Sequence, residues 1–107
     1  MQPLTSSQAK YLRGLAHSLK PVVVIGQKGV NAAVLESVRE ALAAHELIKV
    51  RFVDVQDRRI MAEGAAEVQQ KTDSCLAGAI GHVAIFYRPQ PDPEKRKIVL
   101  PRHSPAP

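Results

Sequence analysis

The segment from Pro21 to Asn31 constrains the fold of this chain more than any other stretch. Its sequence is PVVVIGQKGVN, in which four β-branched residues at 22–25 are bounded by proline and glycine. Because this run is too short for a helix, it predicts a buried strand. Asparagine is a strong N-cap residue, so Asn31 predicts that a helix begins directly after the loop.

The loop between this strand and helix, Gly26-Gln27-Lys28-Gly29, predicts a phosphate-binding site. Glycine adopts backbone angles closed to other residues, so peptide N–H groups can turn toward a ligand. The unpaired N–H groups at a helix start attract anions, and Lys28 adds a full positive charge. A plain strand-to-helix turn would carry the same two glycines, and this alternative stays open from the residues alone.

The spacing of the glycines excludes the common nucleotide-binding loops. A Walker loop needs G-x-x-x-x-G-K-[ST], and the dinucleotide fingerprint needs a third glycine. Neither pattern occurs in the chain, so we expect no nucleotide cofactor. The remaining precedent is the G-x-x-G loop of KH domains, which clamps a nucleic-acid backbone.

The length of 107 residues suits one domain with a single core and no disulfides. We expect this domain to span residues 1–102 and a disordered tail to follow at 103–107. No stretch reads as a secretion signal or a membrane span, and a lone Cys75 is typical of a reducing compartment. These features predict a cytoplasmic monomer with no membrane contact.

The net charge of +5 is distributed unevenly along the chain. Residues 1–35 carry +4, residues 36–75 carry −2 and residues 76–107 carry +3. If the two basic ends meet in the fold, they form one positive face, which is typical of a protein that binds a polyanion. A charge of this size can also arise without any function.

Hydrophobic periodicity predicts three helices and four strands. The helices are expected at 5–18, 31–45 and 57–71, and the strands at 22–25, 47–53, 76–80 and 83–88, with a short edge strand possible at 97–102. The order α-β-α-β-α-β-β predicts an α+β fold in which a four-stranded mixed sheet contains a parallel βαβ unit. Gly81-His82 predicts a type II′ turn that closes a C-terminal hairpin.

The buried side of the second and third helices follows from the same periodicity. In the second helix it is expected to consist of Val34, Val38, Ala41, Leu42 and His45, and in the third of Ile60, Met61, Gly64, Ala65 and Val68. Arg58 and Arg59 stand near the positive end of the third helix dipole, where cations are not favoured. We interpret them as solvated charge.

Further binding residues follow from the topology. Lys49 and Arg51 alternate with apolar residues in the second strand, so they share one sheet face, where they either meet a ligand or keep that face hydrated. If the strands at 22–25, 47–53 and 76–80 run the same way, Lys28 and His82 lie at one end of the sheet, and Lys20 and Arg88 at the other. The predicted binding residues are Gly26, Gln27, Lys28, Gly29, Asn31, Lys49, Arg51 and His82.

The sequence does not predict a catalytic site or a metal site. The four histidines are dispersed, with no pair at ligand spacing, so we expect no metal. A single cysteine beside a strand is more often a core residue than a nucleophile, which leaves a small hydrolase as a distant alternative. Aromatic residues make up 4% of the chain, so an aromatic surface that stacks bases is not predicted.

Several blocks of the sequence resemble a known family. They are GLAHSLKPVV at 14–23, the G-x-x-G loop, HELIKV at 45–50, Ile80-Gly81, Tyr87-Arg88-Pro89 and KIVLPR at 97–102. In order and spacing they are similar to the YhbY-like proteins, bacterial single-domain members of the CRM (chloroplast RNA splicing and ribosome maturation) group. The resemblance covers about residues 5–102.

The resemblance implies a fold like the C-terminal domain of bacterial translation initiation factor three. It also implies RNA binding through the G-x-x-G loop, with precursors of the large ribosomal subunit and their ribosomal RNA as partners, and no catalysis. Sequence preference is expected to come mainly from RNA shape. The alternative is a protein–protein adaptor that docks on ribosomal proteins through its sheet face, and its binding would survive nuclease treatment.

Overall fold

The computed structural model describes residues 3–55 and 57–101, and its element order confirms the predicted α-β-α-β-α-β-β sequence. The elements are α1 (Ser6–Ala16), β1 (Pro21–Ile25), α2 (Ala32–His45), β2 (Leu47–Phe52), α3 (Arg58–Thr72), β3 (Cys75–Ile80), β4 (Val83–Tyr87) and a 3-10 turn (Pro93–Lys95). The tail predicted at 103–107 lies outside the described residues.

The four strands form one mixed sheet in the order β1-β2-β4-β3. β1 pairs with β2 in parallel, while β4 is antiparallel to both β2 and β3. β1, β2 and β3 therefore run in the same direction. Ile80 pairs with Val83 across the two-residue turn, and φ is positive at Gly81 (59°) but not at His82, as in a type II′ turn.

Side-chain caps explain why each helix begins where it does. Thr5 and Gln8 form a reciprocal capping box at α1. The Asn31 side chain accepts a 2.9 Å hydrogen bond from the Val34 N–H group at α2, and Asp57 accepts one of 2.8 Å from the N–H group of Arg59 at α3. These caps confirm the predicted helix starts.

The sheet separates two apolar layers. The larger layer lies between the sheet and helices α2 and α3, and contains Val23, Ile25, Leu35, Val38, Leu42, Ile48, Val50, Phe52, Met61, Ala65, Val68, Ala84 and Phe86. The smaller layer lies under α1, and contains Leu12, Ala16, Leu47, Ala77, Ile85 and Tyr87. Leu4, Ile98 and Leu100 pack against this second layer.

β1 is an edge strand, so the prediction of a buried strand is only half right. Val23 and Ile25 are buried, but Val22 and Val24 are 52% and 57% exposed. The physical reason is the position of α1, which packs over β3, β2 and β4 and leaves the β1 side of that face open. A run of β-branched residues cannot reveal that one of its two faces lacks a covering helix.

The predicted helix faces are correct in their centres and wrong at their ends. Val38 and Leu42 of α2 are buried as expected, but His45 is exposed and Leu35 is buried in its place. In α3, Ile60 is 57% exposed, while Thr72 is buried and donates to the carbonyl of Val68. The face that α2 presents to the core is therefore rotated toward Leu35.

The edge strand predicted at 97–102 is absent over residues 97–101, and Arg102 lies outside the described residues. The backbone N–H groups of Lys97 and Ile98 instead donate to the Glu46 carboxylate, at 2.6 and 3.1 Å. Since these donors are already satisfied, they cannot join a sheet ladder. The segment packs beside α1, where the Gln8 side chain donates to the carbonyl of Pro101.

Candidate functional site

The functional candidates meet where the parallel strands end. The N–H group of Val53 donates to the Ile25 carbonyl at 2.9 Å, and that of Phe52 donates to the His82 carbonyl at 2.7 Å. These bonds join the ends of β1 and β2 to the β3–β4 turn. The loop of Lys28 therefore shares an end of the sheet with His82, and ligands of open sheets commonly bind at such an end.

The G-x-x-G loop is a closed turn. The N–H group of Gly29 donates to the Gly26 carbonyl at 2.9 Å, and Gly29 has a φ of +70°. Left-handed angles favour glycine, so the backbone conformation at Gly29 is one that the sequence predicts, although its N–H group bonds within the loop. The same prediction is wrong for Gly26, whose φ is not positive and where a Cβ would meet only Val53 Cγ2, at 3.8 Å.

The loop presents its polar groups to solvent. The side chains of Gln27 and Lys28 are exposed, and the Lys28 ammonium has no hydrogen bond or ion pair to any residue that the structure describes. Asn31 caps α2 by accepting from the N–H group of Val34. The other N–H groups in the first turn of α2 have no hydrogen-bond acceptor within the helix. A full charge and a helix start are thus adjacent.

The two cations of β2 differ in what they contact. Arg51 is exposed and lines an open concavity of about 490 Å³ together with His82 and Asp54. Lys49 instead donates its ammonium hydrogens to the carbonyls of Leu19 (2.9 Å) and His17 (3.4 Å). Lys49 therefore holds the α1–β1 connection, a structural role that alternation along the strand does not reveal.

Arg58 belongs to the same end of the sheet, although its sequence pattern suggested only solvated charge. It lines a small recess of about 40 Å³ with Gly81 and His82. The signal that could have identified it is topological, because α3 starts just after β2 ends and so begins at the edge that carries the loop. Its neighbour Arg59 is exposed and lies 3.6 Å from the Asp57 carboxylate.

Several other cationic side chains donate hydrogen bonds to backbone carbonyls. Arg13 donates to Ala77, Arg39 to Lys71, Arg88 to Thr72, and Arg96 to Gln90. The guanidinium groups of these four residues therefore stabilise the fold. By contrast, Lys28, Arg51 and Arg58 form no hydrogen bond or ion pair within residues 3–55 and 57–101. The sheet end that carries them is available to an anionic ligand.

Other chemistry has weaker support. Burial of Cys75 raises the pKa of its thiol, which opposes the thiolate that a nucleophile requires. Among the described residues, no three histidine, cysteine, aspartate or glutamate side chains gather as metal ligands. The helices in this part of the chain are also too short or too polar to cross a bilayer.

Comparison with known proteins identifies relatives over most of the chain. Residues 4–88 match the model of the CRS1 / YhbY (CRM) domain. A Haemophilus influenzae protein named as an RNA-binding protein is 38% identical over 102 residues, 95% of this chain and 99% of that one. A Pseudomonas aeruginosa protein, named as a probable RNA-binding protein, is 36% identical over 94 residues, 86% and 88% of the two chains.

A solved structure has the same architecture. The solution structure of a Staphylococcus aureus protein matches with a TM-score of 0.77 at 33% sequence identity, and the match covers 92% of this chain and 99% of that one. Because the match extends over most of both chains, the fold of the described residues is that of this solved structure.

Proposed function

Because the chain belongs to the CRS1 / YhbY (CRM) domain family, we propose that it binds RNA at the sheet end that carries the G-x-x-G loop. Relatives in several bacteria are named for RNA binding. The function proposed is binding, with no catalytic step.

One observation carries this proposal. The exposed cations Lys28, Arg51 and Arg58 stand at a single end of the sheet, and none has a hydrogen bond or ion pair to another described residue. No contact within the described residues accounts for these three cations, whereas a polyanionic ligand at this end of the sheet would account for them. RNA phosphates would neutralise them.

The loop supplies the central contact of the proposed interface. A phosphate beside Lys28 lies near the first turn of α2, whose N–H groups and dipole favour an anion. Gly29 permits the turn that brings the RNA backbone close. Gln27 donates through its exposed amide, and Arg51 and His82 extend the contact along the edge toward the β3–β4 turn. Lys49 and Asn31 support the site through the fold.

The family resemblance extends the proposal to a partner. Precursors of the large ribosomal subunit offer structured ribosomal RNA, and a phosphate-directed edge would recognise the shape of such RNA. Sedimentation of a cell lysate tests this step, because the protein should travel with large-subunit precursors and leave those fractions after nuclease treatment. Retention after nuclease would favour the adaptor alternative instead.

The decisive experiment reverses the charge at the loop. Lys28→Glu should weaken binding of unrelated RNA sequences by a similar factor, roughly tenfold. It should also reduce the slope of the logarithm of the binding constant against the logarithm of the salt concentration by about one. Filter binding at two salt concentrations measures both quantities. Lys20→Glu is the matched control, since Lys20 is also exposed but precedes β1 at the opposite end of the strand. Equal losses in both variants would exclude the loop as the binding centre.

A further inference from the structure

A cleft separates the G-x-x-G loop from α3. It measures about 210 Å³, and its walls include Gly26 and Gly29 from the loop and Ile60 from the exposed side of α3. The ring of Phe52 and the side chains of Val30 and Val55 also line it. A phosphate held at the loop would therefore have an apolar cleft directly beside it.

Gly64 lines this cleft beside Phe52 and Val30. A Cβ at Gly64 would lie 3.0 Å from Phe52 Cε1 and 3.7 Å from Val30 Cγ2, so the helix approaches the sheet closely at this point. Apart from two glutamates, every residue that lines the cleft is a glycine or an apolar residue. Ligand pockets in proteins have this kind of lining, with a few polar groups that orient the ligand.

Two carboxylates stand at the rim. Glu63 and Glu67 line the cleft on the same face of α3 as Ile60 and Gly64. Glu67 is already paired with Lys71, at 2.8 Å. The Glu63 carboxylate forms no hydrogen bond or ion pair with any residue that the structure describes. It is exposed, so its acceptor oxygens are open to a ligand.

A carboxylate beside an RNA site is unfavourable for phosphate, but it can recognise a base. A carboxylate is purely an acceptor and forms its strongest contacts with two adjacent donors. Guanine presents N1–H and the 2-amino group side by side on its Watson–Crick edge. Adenine and cytosine place a ring acceptor beside their amino group, and uracil flanks its single N–H with two carbonyls. Only guanine offers paired donors.

From this geometry we infer that the cleft between the G-x-x-G loop and α3 binds an unpaired guanine base, whose Watson–Crick edge donates to Glu63. The base must be unpaired, because pairing would occupy that edge. The inference rests on the proposed RNA function and adds a base preference to the backbone contact. Ile60, Val30 and Val55 would sandwich the ring, and Lys28 would hold the adjoining phosphate.

The test measures base preference with short single-stranded RNAs. Two oligouridines that differ only in one central nucleotide, guanosine or adenosine, are titrated by fluorescence anisotropy. The wild type should prefer guanosine, and Glu63→Gln should reduce this preference by about tenfold. Long-range electrostatics predicts the opposite effect on affinity, because removal of a carboxylate strengthens RNA binding in general. The direction in which Glu63→Gln changes the affinity for guanosine RNA therefore separates the two explanations: a decrease supports base recognition, and an increase supports long-range electrostatics.

A third RNA and a second variant complete the design. Inosine lacks the 2-amino group, so the wild type should bind inosine RNA less well than guanosine RNA, and Glu63→Gln should remove this difference. Glu40→Gln deletes the same charge from the exposed side of α2 and should leave base preference unchanged. Equal binding of guanosine and adenosine RNAs by the wild type, or an equal gain for both RNAs in Glu63→Gln, would overturn the inference. Neither outcome affects the proposed function, which depends on Lys28.

Discussion

The backbone N–H group of Phe52 donates a 2.7 Å hydrogen bond to the backbone carbonyl of His82. This bond fixes the β3–β4 turn to the end of β2 through main-chain atoms alone. The imidazole ring takes no part in it and is exposed. The position of His82 is therefore independent of its side chain, so the side chain can be replaced without disturbing the edge.

We predict that RNA binding strengthens as the pH falls and that His82 contributes to the increase. A histidine near a phosphate gains a positive charge on protonation, so affinity should rise between about pH 7.5 and pH 5.5. The acidic groups that face this turn are Asp54 and Asp57. Anisotropy titrations of wild type and His82→Ala measure the effect, and His17→Ala is the control. Parallel pH profiles for wild type and His82→Ala would make His82 a plain turn residue.

Gly29 provides a second prediction, because its φ of +70° lies in the left-handed region and an added Cβ would meet no atom within 4 Å. Asparagine and aspartate tolerate this region better than other residues, so either substitution should cost about 1 kcal/mol of stability. Gly29→Asp should abolish RNA binding through its charge, whereas Gly29→Asn should retain most of it. Thermal melts must show both variants folded. Equal loss in the two variants would mean that backbone geometry, and not repulsion of phosphate, explains the effect.

Local sequence signals were sufficient to predict the helices, the strands and the direction in which each strand runs. Each helix is capped by a side-chain oxygen that accepts a hydrogen bond from a backbone N–H group two or three residues later, and the caps are Thr5, Asn31 and Asp57. Such short-range bonds depend on only a few neighbouring residues, so the sequence reveals them. The two-residue turn at Gly81-His82 likewise fixes the β3–β4 register. Together with the crossover from β1 to β2, these signals placed Lys28 and His82 at one end of the sheet.

Contacts between distant segments account for what the sequence could not show. Lys49 and Arg51 are equivalent by alternation, yet only Lys49 meets the carbonyls of the α1–β1 connection, 30 and 32 residues earlier in the chain. The cleft beside the loop combines β1, β2 and α3, so no single stretch reveals it. Gly78 is a similar case, since a Cβ there would lie 2.6 Å from Arg13 Cδ, 65 positions earlier in the chain.

Glu46 provides the last prediction, which concerns stability. Its side chain is fully buried, its φ is +64°, and its carboxylate accepts from the N–H groups of Gln90 (2.9 Å), Lys97 (2.6 Å) and Ile98 (3.1 Å). Glu46→Gln replaces one acceptor oxygen with an amino group that faces an N–H donor. The buried donor then loses its partner, so the free energy of unfolding should fall by about 1–3 kcal/mol.

Urea denaturation measures this loss, and Glu40→Gln is the control because Glu40 is exposed on α2. Since the Glu46 carboxylate holds the segment that carries Ile98 against the α1 layer, amide exchange at Lys97 and Ile98 should accelerate more than exchange in β2. RNA affinity of the folded variant should be unchanged, because Glu46 precedes β2 at the end opposite the loop. An unfolding free energy equal to that of Glu40→Gln would show that the three N–H groups find other acceptors.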